Sequence, residues 1–295
     1  MLARLVFLTA LAISFSAFAD DGKAASQPAM DPMVSELDTS PEPVPAKTDS
    51  NLKAAATDPT PDRKPSSNFD DEIKKLKEAS SNHDENGVLQ SATHILGEDP
   101  KNLAALNALA VHYYNQGKYG MSKILILRAL NDHQNSATLY NNLGVIYLSE
   151  SKQRQAMGYF RKALEMQPKY AYASSNLGAI CLEYKDYNKA ASILESGYNA
   201  VKSDLRRGSY SMDVASNYAQ ALSGAGQNEA AQKIFKKLID IDEQNPALLY
   251  NYAVLLVARM KNKDEGEKII ARLKFIADDP TLKKVQDLEK MMGGT

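Results

Sequence analysis

Side chains able to do chemistry are few and widely spaced. The four histidines, His83, His94, His112 and His133, have no second His, Cys or carboxylate at metal-ligand spacing within one motif, so they read as surface or turn residues. Asn82, Asp84, Asn86 and Gly87 begin like a calcium loop. The last position of such a loop must supply a bidentate Glu, and here it is Thr93, so a polar turn between helices explains these residues better. Cys181 is the single cysteine, which excludes an intrachain disulfide, and it reads as a small buried hydrophobe. No glycine-rich phosphate loop and no nucleophile elbow is present. Catalysis would need a composite site assembled from distant positions. Binding is the simpler expectation: no enzyme, no cofactor and no metal.

The charge balance agrees. The formal net charge of −1 and the scatter of cations give no electrostatic footprint for nucleic acid or an anionic membrane. Chemistry of recognition must therefore come from neutral polar and aromatic groups, and the elements that carry them decide where these stand.

Those elements repeat. Between Ala137 and Tyr170, Leu143-Gly144, Tyr147, Ala156, Phe160, Ala163 and Pro168 are spaced to form two antiparallel helices. Gly144 and Ala156 are small enough for the helices to touch, Tyr147 and Phe160 fill the space around them, and Pro168 ends the second helix. One period earlier stand Leu109, Ala110, Tyr113, Ser122, Ile126 and Ala129, and one period later Leu177, Gly178, Cys181, Ala190, Leu194 and Gly197. The phase then slips by seven residues, assigned to an insertion over 205–211, before Tyr218-Ala219, Leu222, Ala231, Phe235 and Leu238 resume it. A last unit matches at Tyr252-Ala253 and Leu256 and needs one extra residue around Lys261 to Lys263. Pro100, Pro168, Pro246 and Pro280 all fall at unit junctions.

This pattern of about 34 residues resembles the tetratricopeptide repeat (TPR) family. The resemblance implies an all-α fold, a right-handed α-solenoid of stacked antiparallel helix hairpins. The domain is expected over 69–292: a degenerate repeat over 69–102, repeats over 103–136, 137–170, 171–204, 212–245 and 246–279, and a capping helix over 281–292. In that helix Leu282, Val285, Leu288 and Met291 share one side, as a cap over the last apolar flank requires.

The resemblance also implies a peptide-binding groove on the first helix of each pair. Family members often use an Asn just before the small-residue contact to hold the backbone of a bound segment. That position holds Ala108, Asn142, Asn176, Asn217 and Asn251. A primary amide both donates and accepts, so a ladder of them can grip an extended backbone without reading its side chains. An equally good account makes this Asn part of the hairpin itself. Neighbouring groove positions are neutral and include Asn107, Asn141, Gln220, Tyr172 and Tyr250, the two tyrosines being candidate anchors. The places for the cations of a carboxylate clamp hold Asn107, Tyr172 and Asn176, which argues against that mode.

The first residues read as an export signal. Arg4 precedes the apolar run Leu5 to Ile13, and Ala17-Phe18-Ala19 gives a cleavage site before Asp20. The run is too short to span a bilayer, and Asp20 stands where a lipoprotein would have its Cys, so a signal over 1–19 and no membrane insertion afterwards are expected. Residues 20–68 hold eight of the twelve prolines, with nine acidic and five basic residues, a composition expected to stay disordered as a linker. The expectation is a non-catalytic scaffold or adaptor of the bacterial periplasm or envelope, holding a protein or peptide segment within pilus, secretion, motility or cell-wall assembly. A holdase chaperone and a composite-site enzyme are the alternatives.

Overall fold

The computed structural model describes residues 69–207 and 209–293; the expected signal and linker lie outside the described residues. Thirteen α-helices and no strand are present among them. The expected all-α stack of hairpins is what the structure shows. The described residues fall into two compact units that divide after Met166.

In the amino-terminal unit, α1 (Phe69–Ser81), α2 (Glu85–Glu98), α3 (Leu103–Asn115), α4 (Tyr119–Asp132), α5 (Ala137–Ser149) and α6 (Gln153–Met166) pack each on the next. Polar caps start several of them: Asn102 accepts from the Ala105 amide at 3.2 Å and Ser136 from Leu139 at 3.4 Å. The calcium-like residues serve the same purpose, since the Asp84 carboxylate caps α2 by accepting from the Gly87 amide at 3.0 Å. Leu139, Leu143, Ile146, Ala156, Phe160 and Ala163 are fully buried between α5 and α6. The close approach there needs Gly144, because a Cβ on it would lie 2.5 Å from the Phe160 ring. His112, read from sequence as a surface residue, is instead buried, edge-on to Tyr113 and 3.1 Å from the Gln116 amide.

The carboxy-terminal unit contains α7 (Ala171–Glu183), α8 (Tyr187–Val201), α9 (Ser209–Gly224), α10 (Asn228–Ile239), α11 (Pro246–Val254), α12 (Lys263–Ile276) and α13 (Asp279–Gly293). One apolar core runs through it from Cys181 to Leu288. Gly178 meets Leu194 as Gly144 meets Phe160, with no room for a Cβ. Helix α13 packs on α11 and α12 and seats Val285 and Leu288 in the core. Met292, not Met291, completes that face; Met291 is 58% exposed.

Every hairpin turns through one left-handed residue. His83, Gly117, Ser151, Lys185, Gly226 and Lys261 have positive φ, and the first four stand 34 residues apart. After the first five of these residues the next amide bonds back to the carbonyl five positions earlier, as from Lys152 to Tyr147 at 2.8 Å and from Gln227 to Leu222 at 2.8 Å. Lys185 and Gly226 are separated by seven more residues than this period. The structure accounts for them with a 3-10 turn over Leu205–Arg207 and an earlier start of α9, at Ser209 and not at 212.

The last interval has one residue more. It does not sit at Lys261 to Lys263 but in a π-helical turn, Leu255–Arg259, where the Met260 amide bonds to the Leu255 carbonyl at 3.0 Å. The closing bond then spans six residues, from Asn262 to Leu256 at 2.9 Å. Beside it the Tyr252 hydroxyl donates to Glu265 at 2.6 Å, and Lys236 and Asn262 hold the same carboxylate. Burial pushes the Tyr252 phenol far up, while its hydrogen bond lowers Glu265.

The early start of α9 places Tyr210 on Tyr172, with ring centroids 4.1 Å apart and planes at 17°. The Tyr210 hydroxyl is buried without a hydrogen-bond partner. One turn on, burial pushes the Asp213 carboxyl up to about 6. A carboxyl raised in the folded state binds its proton more tightly there than in the unfolded chain. Its contribution to stability is therefore full below about pH 4 and is lost as pH rises through about 6.

Melting experiments provide two checks. Gly144→Leu should destabilise by ~1 to 3 kcal/mol through overpacking against Phe160, and an unchanged midpoint would contradict the contact. Asp213→Asn should match the parent near pH 4 and exceed it above pH 7 by up to ~3 kcal/mol, the value of about two pKa units. Parallel curves at all pH values would show that Asp213 is solvated as an ordinary surface acid.

Candidate functional site

The asparagines of the expected groove divide into two environments. In the amino-terminal unit Asn142 is 2% exposed and donates to the Asn107 side-chain carbonyl at 2.8 Å, while Asn141 donates to Asn142 at 3.3 Å. These three amides link α3 to α5 inside the helix layer. The dent beside them, lined by Val111, Ser122 and Asn142, has no volume for a water molecule. Asn176 on α7 is also buried, at 5% exposure. Asn217 on α9 and Asn251 on α11 are only half-buried.

Asn251 lines a cleft of about 200 Å³ in the carboxy-terminal unit. Its walls come from the first helices of three hairpins: Leu182 on α7, Gln220 and Ser223 on α9, and Asn251 and Val254 on α11. The Tyr187 ring lies directly over Gly224 at its edge, a contact that any larger residue at 224 would obstruct. Arg259, the last residue of the π-turn, closes the other side. Arg259 is exposed and forms no ion pair among the described residues, and no acidic residue lines the cleft. The amides of Gln220 and Asn251 offer donors and acceptors, Ser223 a hydroxyl, and Arg259 a planar fork of donors, which together suit an extended backbone and an acceptor group.

Both candidate anchors are already engaged. Tyr172 lies under Tyr210, and Tyr250 lies under the Lys284 ammonium of α13, 5.7 Å from the ring centroid. Arg259 and Ser223 were missed from sequence. The signal for Arg259 is the one extra residue in the middle of the last repeat, since such a residue in a helix bulges the chain and re-aims the side chains after it. Among the described residues no group of three His, Cys, Asp or Glu is placed to hold a metal ion, and no helix is long and apolar enough to cross a membrane.

Comparison with known proteins places the repeats. Models of the tetratricopeptide repeat match residues 137–170 and 215–288. The solved structure of PilW, described as a widely conserved type IV pilus biogenesis factor, is 21% identical, covers 75% of this chain and 100% of its own, and superposes with a TM-score of 0.59. YrrB, described as a TPR protein with an unusual peptide-binding site, is 16% identical over 66% of this chain and 97% of its own, with a TM-score of 0.54. Among curated proteins, the BBSome complex member BBS4 of Bos taurus is 25% identical over 216 residues, 68% of this chain and 40% of that protein. The chain spans less than half the length of the curated relatives it matches. At these identities the structural likeness establishes the fold. The chain thus carries tetratricopeptide repeats over residues 137–170 and 215–288, within an all-helical architecture of the same kind.

Proposed function

We propose that this protein is a non-catalytic scaffold that holds a segment of a partner protein against the first helices of its carboxy-terminal unit. The observation that carries this reading is the open cleft at Gln220, Asn251 and Arg259, whose hydrogen-bonding groups face a space large enough to be occupied. Repeats of this kind serve protein interaction, and the likeness to a structure with a peptide-binding site supports a segment as the ligand. Asn251 and Gln220 are the backbone-gripping groups in this reading, and Asn217 does not line the cleft. Asn107, Asn141 and Asn142 instead join α3 to α5 in the amino-terminal unit, and Tyr172 and Tyr250 are engaged by Tyr210 and Lys284.

The export signal expected over 1–19 and the likeness to a pilus biogenesis factor support a place in the bacterial envelope, with the partner a component of an envelope assembly. A holdase would instead need a broad apolar surface, and the cleft is walled largely by polar groups.

Photo-crosslinking in intact cells tests the proposal. A photoreactive residue at Gln220 should give one discrete adduct, and the same residue at exposed Lys233 on the second helix α10 should give none. A broad smear from Gln220 would favour a holdase, and equal labelling from both positions would remove the cleft as the binding face.

A further inference from the structure

The cleft has a chemical bias beyond backbone gripping. Its one charged group is Arg259, which is exposed, lies at the end of the π-turn and makes no ion pair among the described residues. Its other polar groups, Gln220, Ser223 and Asn251, can all donate, and none of its lining residues is acidic. Carboxylates do stand beside several cations elsewhere, Lys123 and Lys152 sharing Glu150, Lys236 pairing with Glu265 and Lys274 with Glu289, but none stands in the cleft. The cleft is therefore a donor-rich, positively charged recess with no carboxylate among its lining residues.

Size narrows the occupant. At about 200 Å³ the cleft is below the range of roughly 300 to 1,000 Å³ typical of small-molecule and cofactor sites, and suits a single side chain of a docked chain. A guanidinium fork matches a planar carboxylate in two parallel hydrogen bonds. The partner's backbone would then run across Gln220 and Asn251.

Resting on the scaffold reading, we propose that this cleft selects partner segments carrying an internal Asp or Glu, with Arg259 as the group that reads the acidic side chain. The extra residue of the π-turn is what brings Arg259 to the cleft, so specificity here arises from an irregularity of the repeat and not from the repeated positions. Because the pair forms at an exposed Arg, its strength should fall with added salt.

The test is selection of a displayed library of random linear peptides on the intact protein and on its Arg259→Gln variant, with melting curves to show that both are folded. Peptides from the parent should share an Asp or Glu at a fixed place. A synthetic copy of the strongest should bind the variant roughly tenfold to a hundredfold more weakly. Arg259→Lys should retain the acidic preference at reduced affinity. If the selected peptides lack a common acid, or bind Arg259→Gln equally well, the acidic proposal fails while the scaffold reading stands. If neither protein selects any peptide, both fail together.

Discussion

A helical hairpin of this kind cannot bury its own apolar face, and the contact of a small residue on one helix with a large one on the next lets hairpins form and stack. Gly144 lies against Phe160, and Gly178 against Leu194, each without space for a Cβ. This approach fixes how the two helices cross, and the left-handed residues at Ser151 and Lys185 then return the chain with the same bond over five positions. Once one hairpin has that geometry, its exposed flank requires a neighbour of similar shape. In the carboxy-terminal unit α13 ends the series with Val285 and Leu288 inside and a charged outer face.

Departures from the period are where this chain acquires individuality. The longer interval before α9 delivers Tyr210 onto Tyr172, covering an aromatic that the period alone would leave open. The single extra residue at the end of α11 becomes a π-turn and ends with Arg259 at the cleft. A stack with only nearest-neighbour contacts can absorb such changes locally, because the packing of one hairpin does not depend on distant ones. The tie from Tyr252 to Glu265 holds the altered turn in place without disturbing the core below it.

Local features were the legible ones. Leu143-Gly144, Phe160 and the junction prolines each act within one hairpin, so spacing alone located them. Contacts between hairpins were not legible. The Asn142 side chain pairs with Asn107, thirty-five residues away, and nothing in either residue type says whether an amide will face a groove or another amide. His112 went unrecognised as buried for the same reason, its burial depending on its neighbours and not on its own helix. Met292 takes the place expected of Met291 because, at 3.6 residues per turn, a position seven after Val285 returns to its side of the helix and a position six after it does not, and Met292 reaches Gly266.

The central claim is that one repeat position does two jobs: Asn142 joins helices, and Asn251 faces a partner. Measuring stability and binding on the same pair of variants separates them most directly, using for binding whichever partner segment the cleft captures. Asn142→Ala should lower stability by ~1 to 3 kcal/mol, because it leaves a buried Asn107 carbonyl without its donor, and should leave affinity for the segment unchanged. Asn251→Ala should barely move the melting midpoint and weaken the segment by up to roughly tenfold. The opposite pattern, with Asn142→Ala harmless to the fold or Asn251→Ala harmless to binding, would contradict the division.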